Sequence, residues 1–222
     1  MNPRTNNTCC LLFDSDGTLV DSELLNCQAM SAELAFSDIH ESPEELLHRY
    51  RGFRFSAVLD ELQLKHEIVL DDEFNQRFRQ RAARHFEGRL QPVADVAESL
   101  GQLANPMCVV SNGPEDKIAL AMQITGLSKF FNENVFSAYT VGSWKPDPQL
   151  FLYAARTMGF DSSQCIVIED SHVGIEAACR AGMRSILYNP EQHDELNSAA
   201  TMIISSMAEL PHALQVVQDA DY

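Results

Sequence analysis

The stretch LLFDSDGTLVDSE, Leu11 to Glu23, decides how the rest of the chain is read. Its apolar start, extended backwards by Cys9 and Cys10, has the unalternating hydrophobicity of a strand covered on both faces. It then runs directly into two carboxylates, Asp14 and Asp16, in a turn containing Gly17 and Thr18. Carboxylates are costly to bury without a partner. A core strand that ends in two of them is therefore expected to deliver charge to a site.

Outward from that strand the same type of run recurs. MCVVS (107–111), CIVIED (165–170) and RSILY (184–188) read as buried parallel strands, and NVFSA (134–138) and TMII (201–204) as weaker ones. Helical patterns lie between them. PEDKIALAMQITG places Pro114 at a first helical position and closes at Gly126. DPQLFLYAARTMG and SHVGIEAACRAG close at Gly159 and Gly182. Strands alternating with helices predict an α/β fold, a parallel sheet with helices on both faces.

Residues 22–88 break the rhythm. They carry no convincing strand and read as successive amphipathic helices, an all-helical insertion after the first strand. Eight of the sixteen Lys and Arg fall between Arg49 and Arg84, in a chain whose net charge is −16. Such an acidic protein repels nucleic acid and anionic lipid, so neither is an expected partner. The run RFRQRAAR (77–84) reads as a solvated helix face offset by Asp71, Asp72, Glu73 and Glu87. No apolar run approaches the roughly 20 residues of a membrane span, and the polar start MNPRTNNT has no signal-peptide core. The six cysteines form no CxxC pair and read as reduced core residues of a cytoplasmic protein.

In open α/β sheets, ligands bind beyond the carboxyl ends of the strands. The polar residues cluster at those ends: Asp14 to Thr18, Ser111-Asn112-Gly113, and Glu169-Asp170, with Lys145 in WKPDP between the last two. Carboxylates brought together there would repel one another unless a cation sits among them, and oxygen-only donors point to Mg²⁺. Ser111 and the N–H groups of a helix start suit phosphate oxygens. A dianionic phosphoryl group clamped between Mg²⁺ and Lys145 follows. Asp14, held by the strand, suits the nucleophile, and Asp16, in the turn, suits proton transfer to the leaving group and from water.

FDSDGTLVDSE, VVSNG, WKPDP and IEDSHVGIEAACRAGM, in that order, resemble the four signature motifs of the haloacid dehalogenase superfamily, and the resemblance covers nearly the whole chain. It implies a Rossmann-like core from residues 1–20 and 89–222, a helical C1-type cap from 21–88, and an aspartyl-phosphate intermediate. By motif, Asp14 is the nucleophile, Asp16 the general acid/base, and Ser111 and Lys145 the phosphoryl ligands. Mg²⁺ would be held by Asp14, the backbone carbonyl of Asp16, and Asp170, with Glu169 as a ligand or close neighbour. Asp16 argues against the family's dehalogenases and phosphonatases, which lack an acid there. Asn26 stands where the family's phosphosugar mutases carry a histidine. Within the family the chain resembles bacterial sugar-phosphate phosphatases, including 6-phosphogluconate phosphatases.

The expected substrate is accordingly a small phosphorylated metabolite, hydrolysed by a cytoplasmic, Mg²⁺-dependent phosphatase for which a monomer is the favoured state. A β-phosphoglucomutase-like mutase and a catalytically silent binding protein are the alternatives. RYRGF (49–53) is expected to supply a specificity loop, in which Arg49, Arg51 and Arg54 bring positive charge near Gly52 and at least one of them touches substrate, and Glu23 to meet a sugar hydroxyl. Asn112 is expected to bind phosphate, Thr18 to orient Asp16, Trp144 to pack, His172 to open a helix, and Gly174 to permit close helix–sheet packing.

Overall fold

The computed structural model of the protein describes residues 9–50, 54–192 and 199–219. Six strands, β1 (Cys10–Phe13), β2 (Met107–Ser111), β3 (Val135–Ser137), β4 (Cys165–Glu169), β5 (Arg184–Tyr188) and β6 (Met202–Ile204), form one sheet in the order β3-β2-β1-β4-β5-β6. Every pairing is parallel. All six expected strands are present, the two weaker ones shortened to three residues at the sheet edges.

Eleven α-helices follow in chain order among the described residues. These are α1 (Glu23–Leu34), α2 (Pro43–Tyr50), α3 (Phe55–His66), α4 (Phe74–Phe86), α5 (Val96–Gln102), α6 (Glu115–Ile124), short α7 (Ser128–Phe131) and α8 (Ala138–Val141), α9 (Gln149–Met158), α10 (His172–Arg180) and α11 (Leu210–Asp219).

The period-2 geometry of a strand divides the core in two. Leu11, Phe13, Val109, Ile166 and Ile168 point to one face, packed by residues of α5, α6, α7 and α11. Cys10, Leu12, Cys108, Val110, Cys165 and Val167 point to the other, packed by α8, α9 and α10. The cysteines are all free thiols, and Cys9, Cys10, Cys108 and Cys165 are buried as small apolar residues.

Helices α1 to α4 surround a separate apolar cluster of Met30, Leu34, Ile39, Leu46, Tyr50, Val58, Leu59, Leu62 and Phe74. Leu25, at the start of α1, and Phe86, at the end of α4, instead join the cluster on the sheet. These are the points where the insertion leaves and rejoins the rest of the chain. Local chemistry sets the helix ends. Ser42 and Glu45 cap α2 reciprocally, the Glu45 N–H donating to Ser42 Oγ at 3.1 Å and the Ser42 N–H to Glu45 Oε2 at 3.4 Å. Gly159 ends α9 in the left-handed conformation at φ 83°. Pro114 sits one residue earlier than expected: its ψ of 152° makes it the N-cap, and α6 begins at Glu115.

Charge within the insertion is paired in one place the sequence did not suggest. Glu33, 1% exposed, accepts hydrogen bonds from Arg77 and Arg81, whereas Arg77 also pairs with Asp71 and Glu73. The expected solvated face of RFRQRAAR therefore holds only partly, because two of its arginines reach inward to neutralise a buried carboxylate.

Candidate active site

The sheet order explains the convergence of the polar residues. β1 lies between β2 and β4, and adjacent strands run about 4.8 Å apart. The residues that leave these three strands, Asp14, Ser111 and Glu169-Asp170, are therefore neighbours although Asp14 and Glu169 are more than 150 positions apart. The Asp14 N–H still donates to the Ile168 carbonyl at 2.9 Å, so the ladder holds its backbone. The chain also reverses its direction of sheet growth here, from β2 and β3 on one side to β4, β5 and β6 on the other, which opens a crevice.

Lys145 completes the group. Its Nζ donates to Asp14 Oδ1 at 2.5 Å and to Glu169 Oε1 at 2.8 Å, and it lies 4.9 Å from the centroid of the Phe151 ring. Asn112 holds the Lys145 backbone: its Oδ1 accepts from the Lys145 N–H at 2.9 Å, and its Nδ2 donates to the Lys145 carbonyl at 3.4 Å. Both polar atoms of the Asn112 carboxamide thus shape the loop that carries Lys145, while the residue lines the cavity.

Glu169 is equally committed. Its Oε2 accepts from the Asp170 N–H (2.8 Å), the Ser171 N–H (2.7 Å) and Ser171 Oγ (2.8 Å). Ser171 Oγ in turn accepts from the Gly174 N–H at 3.2 Å and caps α10. Gly174 is required by close approach, because a Cβ there would lie 1.8 Å from Glu169 Oε1. Gly17 is required twice, by its φ of 80° and by a Cβ position 2.2 Å from Asp170 Oδ2. Thr18 Oγ1 donates to Asp170 Oδ1 at 3.0 Å, so it orients Asp170 and not Asp16 as expected. His172 opens α10, as its position in the sequence implied.

Asp16 is held by two groups. Lys117 Nζ, from the first turn of α6, donates to its Oδ2 at 2.7 Å, and Ser22 Oγ donates to its Oδ1. Burial pushes its carboxyl upward, but Lys117 and Ser22 outweigh that and leave it below its ordinary value. This arrangement favours the ionised form, the form that accepts a proton. Lys117 went unnoticed in the sequence. The available signal was its position four residues beyond Gly113, on the helix turn that faces the strand ends. For Asp14, burial acts first and raises the carboxyl well above its usual range. Lys145 opposes this, while Glu169, Asp170 and Asp16 reinforce it. Lys145 itself stays charged: burial opposes this, but Asp14 and Glu169 raise its pKa.

One ammonium therefore faces several buried acids. Oxygens of Asp14, Glu169 and Asp170 lie within 4.8 Å of one another. An all-oxygen, net-negative set of this kind fits a hard divalent cation. The Asp16 carboxylate is outside that set, turned towards Lys117, so only its backbone carbonyl remains as the donor expected from the sequence.

These residues line one end of a cavity of about 510 Å³. Ser111, Asn112, Lys117, Glu23 and Asn26 also line it, and its far wall comes from Met30, Leu46, Leu47, Phe55, Val58 and Phe78 of α1 to α4. Glu23 thus lines the cavity. Arg49 does not line it and pairs instead with Glu61 at 2.5 Å. Arg51 and Gly52 lie outside the described residues. The cavity contains an arginine the sequence did not single out, Arg79 of α4.

The family model for haloacid dehalogenase-like hydrolases matches residues 10–182. The chain is 33% identical to the 6-phosphogluconate phosphatase of Escherichia coli over 186 residues, 83% of this chain and 84% of that one. It is 31% identical to the fructose-1-phosphate phosphatase of the same organism, over 79% of this chain and 94% of that one. The crystal structure of a haloacid dehalogenase-like protein from Agrobacterium tumefaciens superimposes with a TM-score of 0.81 at 28% identity, covering 96% of this chain and 100% of that one.

Proposed function

The chain belongs to the haloacid dehalogenase-like hydrolases, and from that premise we propose that it is a Mg²⁺-dependent phosphatase of sugar phosphates or sugar-acid phosphates such as 6-phosphogluconate. The observation that carries this reading is the Asp14 carboxylate, fixed by the β1–β4 ladder and by Lys145 at one end of the cavity. Relatives named as phosphatases of 6-phosphogluconate and fructose 1-phosphate support the substrate class.

In the proposed reaction an Asp14 oxygen bonds to phosphorus as the bond to the ester oxygen breaks, leaving an aspartyl-phosphate. For this step Asp16 must first carry a proton, against the pull of Lys117 and Ser22 towards its ionised form; it gives that proton to the departing oxygen. Asp16 then takes a proton from water, the water oxygen bonds to phosphorus, and the bond to Asp14 breaks to release inorganic phosphate. Lys145 and Ser111 bind the phosphoryl oxygens, and Glu169 positions Lys145. Asp14, the backbone carbonyl of Asp16, Asp170 and, less directly, Glu169 would hold Mg²⁺, which when bound neutralises phosphoryl charge.

Helices α1 to α4 serve as a cap that reads the leaving group and excludes water. Its wall is mainly apolar, so specificity for a polar ester falls on the few polar groups in reach, Glu23, Asn26, Lys117 and Arg79. A sugar-acid carboxylate would pair with one of the last two.

A panel of phosphorylated metabolites, assayed for phosphate release with and without Mg²⁺, tests the proposal. Sugar phosphates are expected to turn over, and Asp14→Asn to abolish turnover in a folded protein. Reactive nucleotides beside inert sugar phosphates would refute the substrate class. An isomeric phosphosugar without free phosphate would identify a mutase.

A further inference from the structure

Four side chains in contact bridge the helical insertion and the sheet domain. The Arg54 guanidinium, at the N-cap of α3, lies 3.9 Å from the centroid of the Trp144 ring. Trp144 meets Tyr139 of α8 edge-on, centroids 5.5 Å apart at 74°. Arg79 of α4 lies 5.4 Å from the Tyr139 ring centroid. Arg54 and Arg79 belong to the insertion, whereas Tyr139 and Trp144 belong to the sheet domain, Trp144 directly before Lys145.

The location gives this seam a role. Arg79, Tyr139 and Phe55 line the cavity that contains Asp14, and the same three line a second, polar cleft of about 430 Å³ together with Arg54 and Trp144. The seam is therefore the wall between the site and an outer cleft. A guanidinium is weakly hydrated and stacks on an aromatic face at little desolvation cost, unlike an ammonium. Such a contact can be made and broken at little cost.

We propose that Arg54 on Trp144 and Arg79 on Tyr139 form a cation–π latch that holds the helical insertion closed over the phosphoryl site. Arg54 is then a positioning residue, whereas Arg79 both holds the latch and lines the substrate cavity. They set the population of the closed state, while Lys145 keeps its place through Asn112, Asp14 and Glu169. The kinetic consequence rests on the phosphatase reading; the conformational one does not.

Trp144 is the single tryptophan of the chain, so its fluorescence reports on the latch directly. In Arg54→Met, acrylamide quenching of Trp144 is expected to increase, and KM for a sugar phosphate to rise about tenfold with kcat within about twofold. Arg54→Lys is expected to restore part of both effects, since it keeps the charge without the planar stack. Inorganic phosphate is expected to reduce quenching in the wild type more than in Arg54→Met.

Quenching and KM unchanged in a folded Arg54→Met would overturn the latch. So would kcat and melting temperature falling together with KM unmoved, which would indicate structural damage only. If Arg54→Met does not fold, the same comparison between Arg54→Lys and wild type decides. If the wild type releases phosphate from no ester, the phosphatase reading falls, and the quenching comparison alone decides the latch.

Discussion

Replacing Gly174 by alanine tests how the site is supported. A Cβ at this position would lie 1.8 Å from Glu169 Oε1 and 1.9 Å from its Cδ, far inside contact distance. The Glu169 side chain must therefore move. It cannot do so without giving up some of its four bonds, one to Lys145 and three to the donors on its other oxygen. Hydrogen bonds to a charged group contribute about 1.5–3 kcal/mol each, and a buried carboxylate left short of donors costs a similar amount. Alanine recovers only about 1 kcal/mol of helix propensity over glycine. Losing two of the four bonds thus predicts a net destabilisation of about 2–5 kcal/mol. Lys145 would be freed from one of its two carboxylates, so phosphate release should also fall by at least tenfold. Gly101→Ala is the matched control: Gly101 lies within α5 with nothing within 4 Å of a Cβ, and alanine there should stabilise by about 0.5–1 kcal/mol. Urea denaturation of the three proteins, with phosphate release measured on each, reads both effects. Gly174→Ala with wild-type stability and activity would refute the claim that Glu169 is a fixed support of Lys145.

Lys145→Met should destabilise the metal-free protein by about 3–5 kcal/mol in denaturant titrations, because it leaves the buried Asp14 and Glu169 without their cation. Chelation with EDTA should abolish phosphate release, and added Mg²⁺ should restore it and raise the melting temperature, as any ligand of the folded state does; release that survives exhaustive chelation would contradict the metal reading. Glu41 is buried against Lys65 and His66, and although burial raises its carboxyl, their hydrogen bonds hold it below its ordinary value. Its stabilisation is therefore present above the unfolded-state pKa and lost as pH falls through the folded one. Glu41→Gln should cost about 1 kcal/mol in thermal melts near neutral pH and progressively less as the pH drops below about 4; a gap that widens on acidification would reverse the assignment.

The strands and most of the site were legible in the sequence because both depend on local features. An unbroken apolar run such as CLLF can only be satisfied when covered on both faces. A residue directly following such a run is placed by the strand itself, which puts Asp14, Ser111 and Asp170 at one sheet edge once the strands are parallel. What only the tertiary structure decided was partnership. Thr18 is two residues from Asp16 but bonds Asp170, 152 positions away; Asn112 grips the Lys145 backbone; Lys117 pairs with Asp16 across 101 positions. Arg54 lies on Trp144, which read as mere packing. Hydropathy period and motif spacing specify which face of an element is apolar and where the element ends. They do not specify the angstrom-scale offset and rotation of one element against another, and hydrogen bonds and cation–π contacts exist only within those tolerances.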